Sequence, residues 1–200
     1  MNEARSLRAV ALSEETFDAF STLHEGAGCA GCFCMYWHYT GDNRAWQLEE
    51  PSANREKKLA LVRARKTHAI VLLDDARRDE HGRSIAVGAI QIEPRASLTK
   101  LTTRMPYRDL GPADGRWSVG CLLVRESERR KGIATQLVQA AIDWLRKDPT
   151  AVSLEAYPRL GDDLRDEEQW MGPESLFVRA GFHVVREHVQ YPVLVLALRP

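Results

Sequence analysis

The stretch WSVGCLLVRESERRKGIATQLVQAAIDWL, Trp117 to Leu145, decides the fold, because within it the hydrophobic period changes from that of a strand to that of a helix. Trp117 to Val124 is a largely aliphatic run and reads as a strand. Beyond it Ala134, Leu137, Val138, Ala141, Ile142 and Leu145 fall on one helical stripe, which Asp148 and Pro149 bring to an end. Between the two lies the turn RESERRKGIAT, Arg125 to Thr135, holding Arg129, Arg130, Lys131, Gly132, Ile133 and Ala134. The first amides of a helix lack intrahelical acceptors, and aligned peptide dipoles leave partial positive charge there. Gly132 and Ala134 admit close approach to the backbone, and three cations stand beside them, so the turn is a local anion site suited to phosphate. A basic helix start on the surface is the plainer reading of the same residues. The spacing is neither G-x-x-x-x-G-K-[ST] nor G-x-G-x-x-G, which disfavours nucleoside triphosphates and NAD.

Working outward, His68 to Asp74 and Ser84 to Glu93 are β-branched runs on either side of a charged, glycine-bearing segment, which predicts an antiparallel hairpin. Pro94 to Arg116 is rich in Pro and Gly and too long for a simple turn, as a functional loop or lid would be. Cys32 to Tyr39 is predicted as a strand from its aromatic content, and Asn54 to Arg65 as a short basic helix. Downstream, Ala151 to Tyr157 predicts a strand, Glu174 to Ala180 a helix closed by Gly181, and Phe182 to Gln190 and Pro192 to Arg199 two last strands. This order implies an α/β (α+β) fold, a mixed and mostly antiparallel sheet flanked by helices, formed by residues 1–200 as a single domain.

Composition sets the outer bounds. Lys and Arg number 28 against 28 for Asp and Glu, so no global field draws in nucleic acid or anionic lipid, and neither is expected as a partner. The N-terminus carries no apolar run of signal-peptide length, and the longest strongly apolar stretch, Val193 to Leu198, falls far short of a membrane span, so a cytoplasmic protein is expected. Four cysteines do not make a disulfide scaffold.

The turn resembles the signature of the GNAT superfamily of acyl-coenzyme A-dependent N-acyltransferases, [QR]-x-x-G-x-[GA] five residues beyond a valine-ended strand. Here Val124 precedes Arg129-Arg130-Lys131-Gly132-Ile133-Ala134 at that spacing, and LFVRAGF, Leu176 to Phe182, is similar to the family's short helix followed by Gly-Phe. The resemblance implies that backbone amides of Arg130 to Thr135 hold the coenzyme A pyrophosphate. It also implies that the pantetheine lies beside Leu122, Leu123 and Val124, in a splay between that strand and Ala151 to Tyr157. A splayed edge leaves N–H and C=O groups that pantetheine amides satisfy as an added strand would. Gly120 suits either a close approach or a bulge.

Acyl transfer to an amine needs a proton removed from an ammonium, a donor for the developing oxyanion and a proton for the departing thiolate. A main-chain N–H at Leu122 or Leu123 serves the second need without leaving a trace in the sequence. Many family members place a tyrosine just before the Gly-Phe; the matching position is Phe177, which donates no proton. Related enzymes often carry a carboxylate early in the coenzyme strand, where this chain offers Ser118. The replacement candidates are Glu155 and Tyr157, alternating onto one face of the adjoining strand, with Glu93 as a further carboxylate, against a purely structural role for each.

Cys29, Cys32 and Cys34 with His24 and His38 invite a zinc site, but the spacing lacks a second Cys-x2-Cys pair, so no metal is expected and packing thiols are. Cys121 reads as packing rather than a nucleophile. Tyr36, Trp37, Tyr39 and Trp46 serve as either core or the wall of an acceptor site. Asn54, Arg55, Lys57 and Lys58, and the acidic run Asp162 to Glu168, are read as solvated faces, with a rim of the acceptor site as the other reading of the acidic run. The leading expectation is an N-acetyltransferase moving an acetyl group from acetyl-coenzyme A to a primary amine of a small molecule by direct attack. Protein lysine or N-terminal amines, or an acyl-coenzyme A sensor without turnover, are the alternatives. A homodimer through the Val193 to Leu198 strand fits the resemblance.

Overall fold

A computed structural model describes residues 6–26 and 31–199. Seven strands form one sheet: β1 Leu7–Ala11, β2 Ala69–Arg78, β3 Ser84–Pro94, β4 Arg116–Val124, β5 Ser153–Ala156, β6 His183–Arg186 and β7 Val193–Ala197, in the spatial order β1-β2-β3-β4-β5-β7-β6. Every pairing is antiparallel except β4 with β5. Among the described residues five α-helices accompany it: α1 Glu14–Glu25, α2 Asn43–Trp46, α3 Pro51–Arg63, α4 Ile133–Leu145 and α5 Glu174–Arg179. The β2–β3 hairpin, the β4-to-α4 unit and the short helix before Gly181 stand where the sequence predicts them, with bounds shifted by a few residues.

The sheet separates two apolar layers. On one face α4 buries Ile133, Leu137, Val138, Ala141, Ile142 and Leu145 against Val87, Ile90, Trp117 and Val119. Each of the Ile, Leu and Val side chains stabilises the fold by about 1.5–3 kcal/mol when fully buried. Ile133 replaces Ala134 at the start of the predicted stripe, and Ala134, half-buried, is left facing the groove. Gly88 permits the close fit: a Cβ there would lie 2.9 Å from both the Leu123 carbonyl oxygen and Leu137 Cδ1. On the other face α1 packs Phe17, Phe20 and Leu23 over Val71, Ala89 and Cys121.

Three sequence expectations are corrected. Cys32 to Tyr39 is not a strand: Phe33 and Cys34 adopt φ of 48° and 56°, and a 3₁₀ turn covers Tyr36–His38. Positive φ is incompatible with an extended ladder, and the aromatics are buried by folding over the sheet instead of joining it. Lys58 and Asn54 do not sit on a solvated face; both are buried, where Lys58 Nζ donates to Thr67 Oγ1 at 2.6 Å. Leu7–Ala11 and Glu14–Glu25 supply β1 and α1. β7 is hydrogen-bonded on both sides, so β6 rather than β7 carries the open edge. The cysteine cluster is only partly visible, since Cys29 lies outside the described residues. Among the described residues no helix is long and apolar enough to cross a membrane, and no group of three or more His, Cys, Asp or Glu is placed to hold a metal ion.

Candidate active site

The groove begins at the turn that the sequence singles out. Arg130 at φ 60° and Gly132 at φ 78° bend the chain into α4, with Gly132 as N-cap supplying no side-chain acceptor for the first helical amides. A Cβ on Gly132 would meet nothing within 4 Å, so the space over the turn is open. From there a cavity of about 420 Å³ runs along β4, lined by Leu122, Leu123, Val124, Arg129, Arg130, Gly132, Ile133, Ala134 and Thr135 among the residues singled out above. Lys131 is not among the lining residues but reaches Glu128, which is, at 3.4 Å, and Phe177 lies behind the lining, fully buried against Phe182 and Gly172.

The cavity exists because β4 and β5 part. They pair only from Arg116 to Ser118, opposite Ser153 to Glu155, after which β4 continues alone beside β3. Gly120 marks the parting: the β3 register skips it, placing Gln91 opposite Cys121 and Ile92 opposite Val119, so it is a bulge. It also allows close approach, since a Cβ there would fall 2.7 Å from Gln91 Oε1, and Trp37 Nε1 donates to the Gly120 carbonyl at 2.5 Å. The freed edge is not bare. The Leu122 N–H donates to the Trp170 carbonyl at 2.8 Å, and Arg129 pairs with Asp166 at 2.5 Å. Thus the segment between β5 and α5 touches the groove at both its strand and its cationic turn.

At the closed end of the parting the polar groups are buried and mutually engaged. Glu155 receives Arg95 Nη1 at 3.0 Å and Arg116 Nη1 at 3.3 Å, with Arg95 itself buried. The Tyr157 hydroxyl donates to Glu155 Oε2 at 2.5 Å and lies 2.8 Å from Ser118 Oγ. Burial, reinforced by the Glu155 charge, pushes the Tyr157 phenol well above its ordinary pKa, so it stays neutral. Arg95 also donates to the carbonyls of Leu110, Gly111 and Pro112, so the proline-rich loop, Pro94 to Arg116, is folded around this guanidinium. Glu93 forms a second buried centre with Thr67, His68 and His38. Burial pushes its carboxyl up, but hydrogen bonds from His38 and His68 and the Lys58 charge outweigh it and hold Glu93 well below the usual carboxylate range. Among the described residues lining the groove, neither Glu155 nor Tyr157 appears.

Comparison with known proteins adds the family. Residues 31–161 match the model of the Acetyltransferase (GNAT) family, well over half of the chain. The chain belongs to the GNAT acetyltransferase family. By sequence no curated protein matches it. Its fold is similar to that of PaiA N-acetyltransferase from Thermoplasma acidophilum in complex with coenzyme A (TM-score 0.55, 11% identity, 96% of this chain and 99% of that one). It is also similar to an N-acetyltransferase from Staphylococcus aureus Mu50 (TM-score 0.56, 13% identity, 97% and 99% covered). The ribosomal-protein-S5-alanine acetyltransferase from Vibrio fischeri shares the fold as well (TM-score 0.57, 13% identity, 99% and 98% covered).

Within this GNAT chain, sequence reasoning found the turn and the strand but missed the far wall of the groove. Asp166, Gln169, Trp170 and Gly172 from the segment before α5, and Leu176 and Arg179 on α5, complete the lining. Asp166 belongs to the acidic run, read as a solvated face, and only the folded chain brings it to Arg129. Trp170 left no such signal, because its carbonyl makes the contact and its ring packs on Trp37 at 5.2 Å and Tyr36 at 5.7 Å.

Proposed function

We propose that the chain is an N-acetyltransferase that uses acetyl-coenzyme A as cosubstrate and acylates a primary amine of a small molecule by direct attack. The observation that carries the reading is the continuity of the groove, from the parting of β4 and β5 to the left-handed turn at the start of α4. The residues fit the coenzyme. Amides of Arg130, Lys131, Gly132, Ile133, Ala134 and Thr135 with the Arg129 guanidinium supply donors for a diphosphate. Leu122, Leu123 and Val124 offer an apolar strand edge, and Phe177 supports Gly172 from behind. Once the Trp170 carbonyl withdraws, the Leu122 N–H becomes the donor for negative charge developing on an acyl oxygen.

Glu155 and Tyr157 are the proposed proton carriers, acting from the closed end through Ser118 and water, since both are held in hydrogen bonds and stand back from the groove. Glu155→Gln tests this. Turnover is expected to fall by about 100-fold with a changed pH profile; unchanged turnover and profile would assign Glu155 to structure. The aromatic residues Tyr36, Trp37 and Trp46, packed against one another and Trp170, suit the apolar wall of a compact amine site. A second reading, an acyl-coenzyme A sensor without turnover, is favoured by the Trp170 carbonyl on Leu122 N–H and by Glu155 being engaged with Arg95.

One experiment separates the readings. Purified protein, acetyl-coenzyme A and a panel of small amines should release free thiol with at least one amine. Release only with lysine-bearing or N-terminal peptides would move the proposal to protein substrates, and tight coenzyme binding with no release from any acceptor would favour the sensor.

A further inference from the structure

We propose that the acceptor amine carries a carboxylate, and that Arg104 holds this acid in a cavity between the loop after β3 and the start of α2. This names the acceptor class, an amino acid or similar amine bearing an acid, for the acetyl transfer proposed above, on which it rests. The cavity measures about 470 Å³, and Asn43, Lys100, Arg104 and Tyr191 are among the side chains that line it. It shares no lining residue with the coenzyme groove.

Arg104 is half-buried, and its guanidinium carbon stands 5.9 Å from the Trp37 ring, 5.9 Å from the Tyr107 ring and 5.8 Å from the Tyr191 ring. Ring faces stabilise the charge, but they are poor acceptors for the five N–H groups on the guanidinium edge. Every other half-buried arginine among the described residues has an oxygen partner: Arg129 holds Asp166, Arg159 holds Glu168, Arg116 holds Glu155, and Arg55, Arg83, Arg125 and Arg186 are likewise engaged. The Arg104 side chain has no hydrogen bond or ion pair with any described residue. Nor do its neighbours supply a counter-charge. Burial pushes the Tyr107 phenol up to about 12, so it stays neutral, and Asp42, the carboxylate in the lining, caps α2 through Oδ1, which accepts from the Ala45 N–H at 2.7 Å.

Two further donors converge on the same space. Lys100 Nζ lies 5.8 Å from the Tyr36 ring and 5.5 Å from the Tyr39 ring, and it donates to the Gly41 carbonyl with hydrogens to spare. Asn43 accepts from the Tyr36 hydroxyl through Oδ1 at 3.3 Å, which leaves its amide nitrogen to donate. A carboxylate matches this set, because its two coplanar oxygens fit the planar guanidinium fork. The aromatics then tie the cavity to the reacting end. Trp37 donates to the Gly120 carbonyl at the bulge of β4, and the Tyr107 ring packs on Tyr157 at 5.1 Å, so Arg104 is one side chain removed from both. In the transfer itself the amine nitrogen bonds to the acetyl carbon, the C–S bond breaks, the amine gives up a proton and the sulfur receives one. The acid is only held, and it aims the amine.

The test gives the full chain acetyl-coenzyme A and matched pairs of amines that differ only in the acid: glycine with methylamine, β-alanine with ethylamine, γ-aminobutyrate with propylamine and ε-aminocaproate with pentylamine. Thiol release should show kcat/KM higher for the acid-bearing member by about 10- to 100-fold in at least one pair. In Arg104→Met that ratio should fall toward one, and Arg104→Lys, which keeps the charge without the fork, should retain part of it. A second readout needs neither turnover nor a variant. Phenylglyoxal labelling of wild-type arginines, mapped by peptide mass, should be slowed at Arg104 by glutarate and left unchanged at the exposed Arg65. Equal kcat/KM within every pair, a preference that survives Arg104→Met, or labelling of Arg104 that glutarate does not slow would overturn the assignment. Protection of Arg104 with no thiol released from any amine would instead overturn acetyl transfer and leave the carboxylate site standing, so the two failures are distinguishable.

Discussion

The two ends of the groove are built by different physics. At the turn, Arg129 to Thr135 presents main-chain amides and a guanidinium to open space, and nothing crowds Gly132. At the parting of β4 and β5, a carboxylate, a phenol and the Arg95 guanidinium are drawn into the interior and satisfied by one another. The proposed anion site would work from backbone and dipole and so needs few side chains, whereas the proposed proton carriers are buried groups that depend on one another for their polar partners. The first is local in sequence; the second joins residues tens of positions apart.

Breaking the buried end should give the largest effect. Arg95→Met removes the guanidinium that neutralises Glu155 and holds three loop carbonyls, and should cost about 3–5 kcal/mol in denaturant unfolding. A loss below about 1 kcal/mol would mean that Arg116 alone suffices to balance Glu155. Glu93 offers a comparison within the same end. Its folded-state pKa is depressed, so its contribution to stability is full above its unfolded value near 4.3 and is lost as pH falls below that toward the folded value. Denaturant midpoints taken from pH 7 down to pH 3 should therefore fall more steeply for the wild type than for Glu93→Gln, which starts lower because it leaves Lys58 uncompensated.

Changes at the cradle should be smaller for stability and larger for binding. Gly132→Asp puts a Cβ at φ 78° and a negative charge over the turn. Coenzyme affinity by calorimetry should fall about 10- to 100-fold, with a stability loss of only about 1 kcal/mol. Unchanged affinity in the folded variant would remove the diphosphate from this turn. The smallest expected effect is that of Asp166→Asn, which releases Arg129 from an exposed pair; coenzyme affinity should rise by about two- to fivefold, and more so at low salt.

The legible part of this protein was its periodic part. Trp117 to Leu145 revealed a strand, a cationic turn and a helix because apolar spacing and a glycine at a helix start are local physical signals. Cys32 to Tyr39 misled because aromatic content favours a strand only where a sheet edge is available, and here the side chains found burial in a turn over β4. Lys58 misled in the opposite way: among charged neighbours it looks solvated, yet Thr67 and Glu93 draw it into the interior.

The order of strands and helices from the β2–β3 hairpin onward, the bend before α4 and the serine at position 118 were determined by the chain alone, since each follows from neighbours in sequence. Only the tertiary structure decided that Arg95 meets Glu155, that the Trp170 carbonyl reaches the Leu122 amide and that Lys58 meets Thr67. Such contacts arise from packing elements that are distant in sequence, and no residue type or spacing specifies which buried groups become partners until the sheet has brought them together.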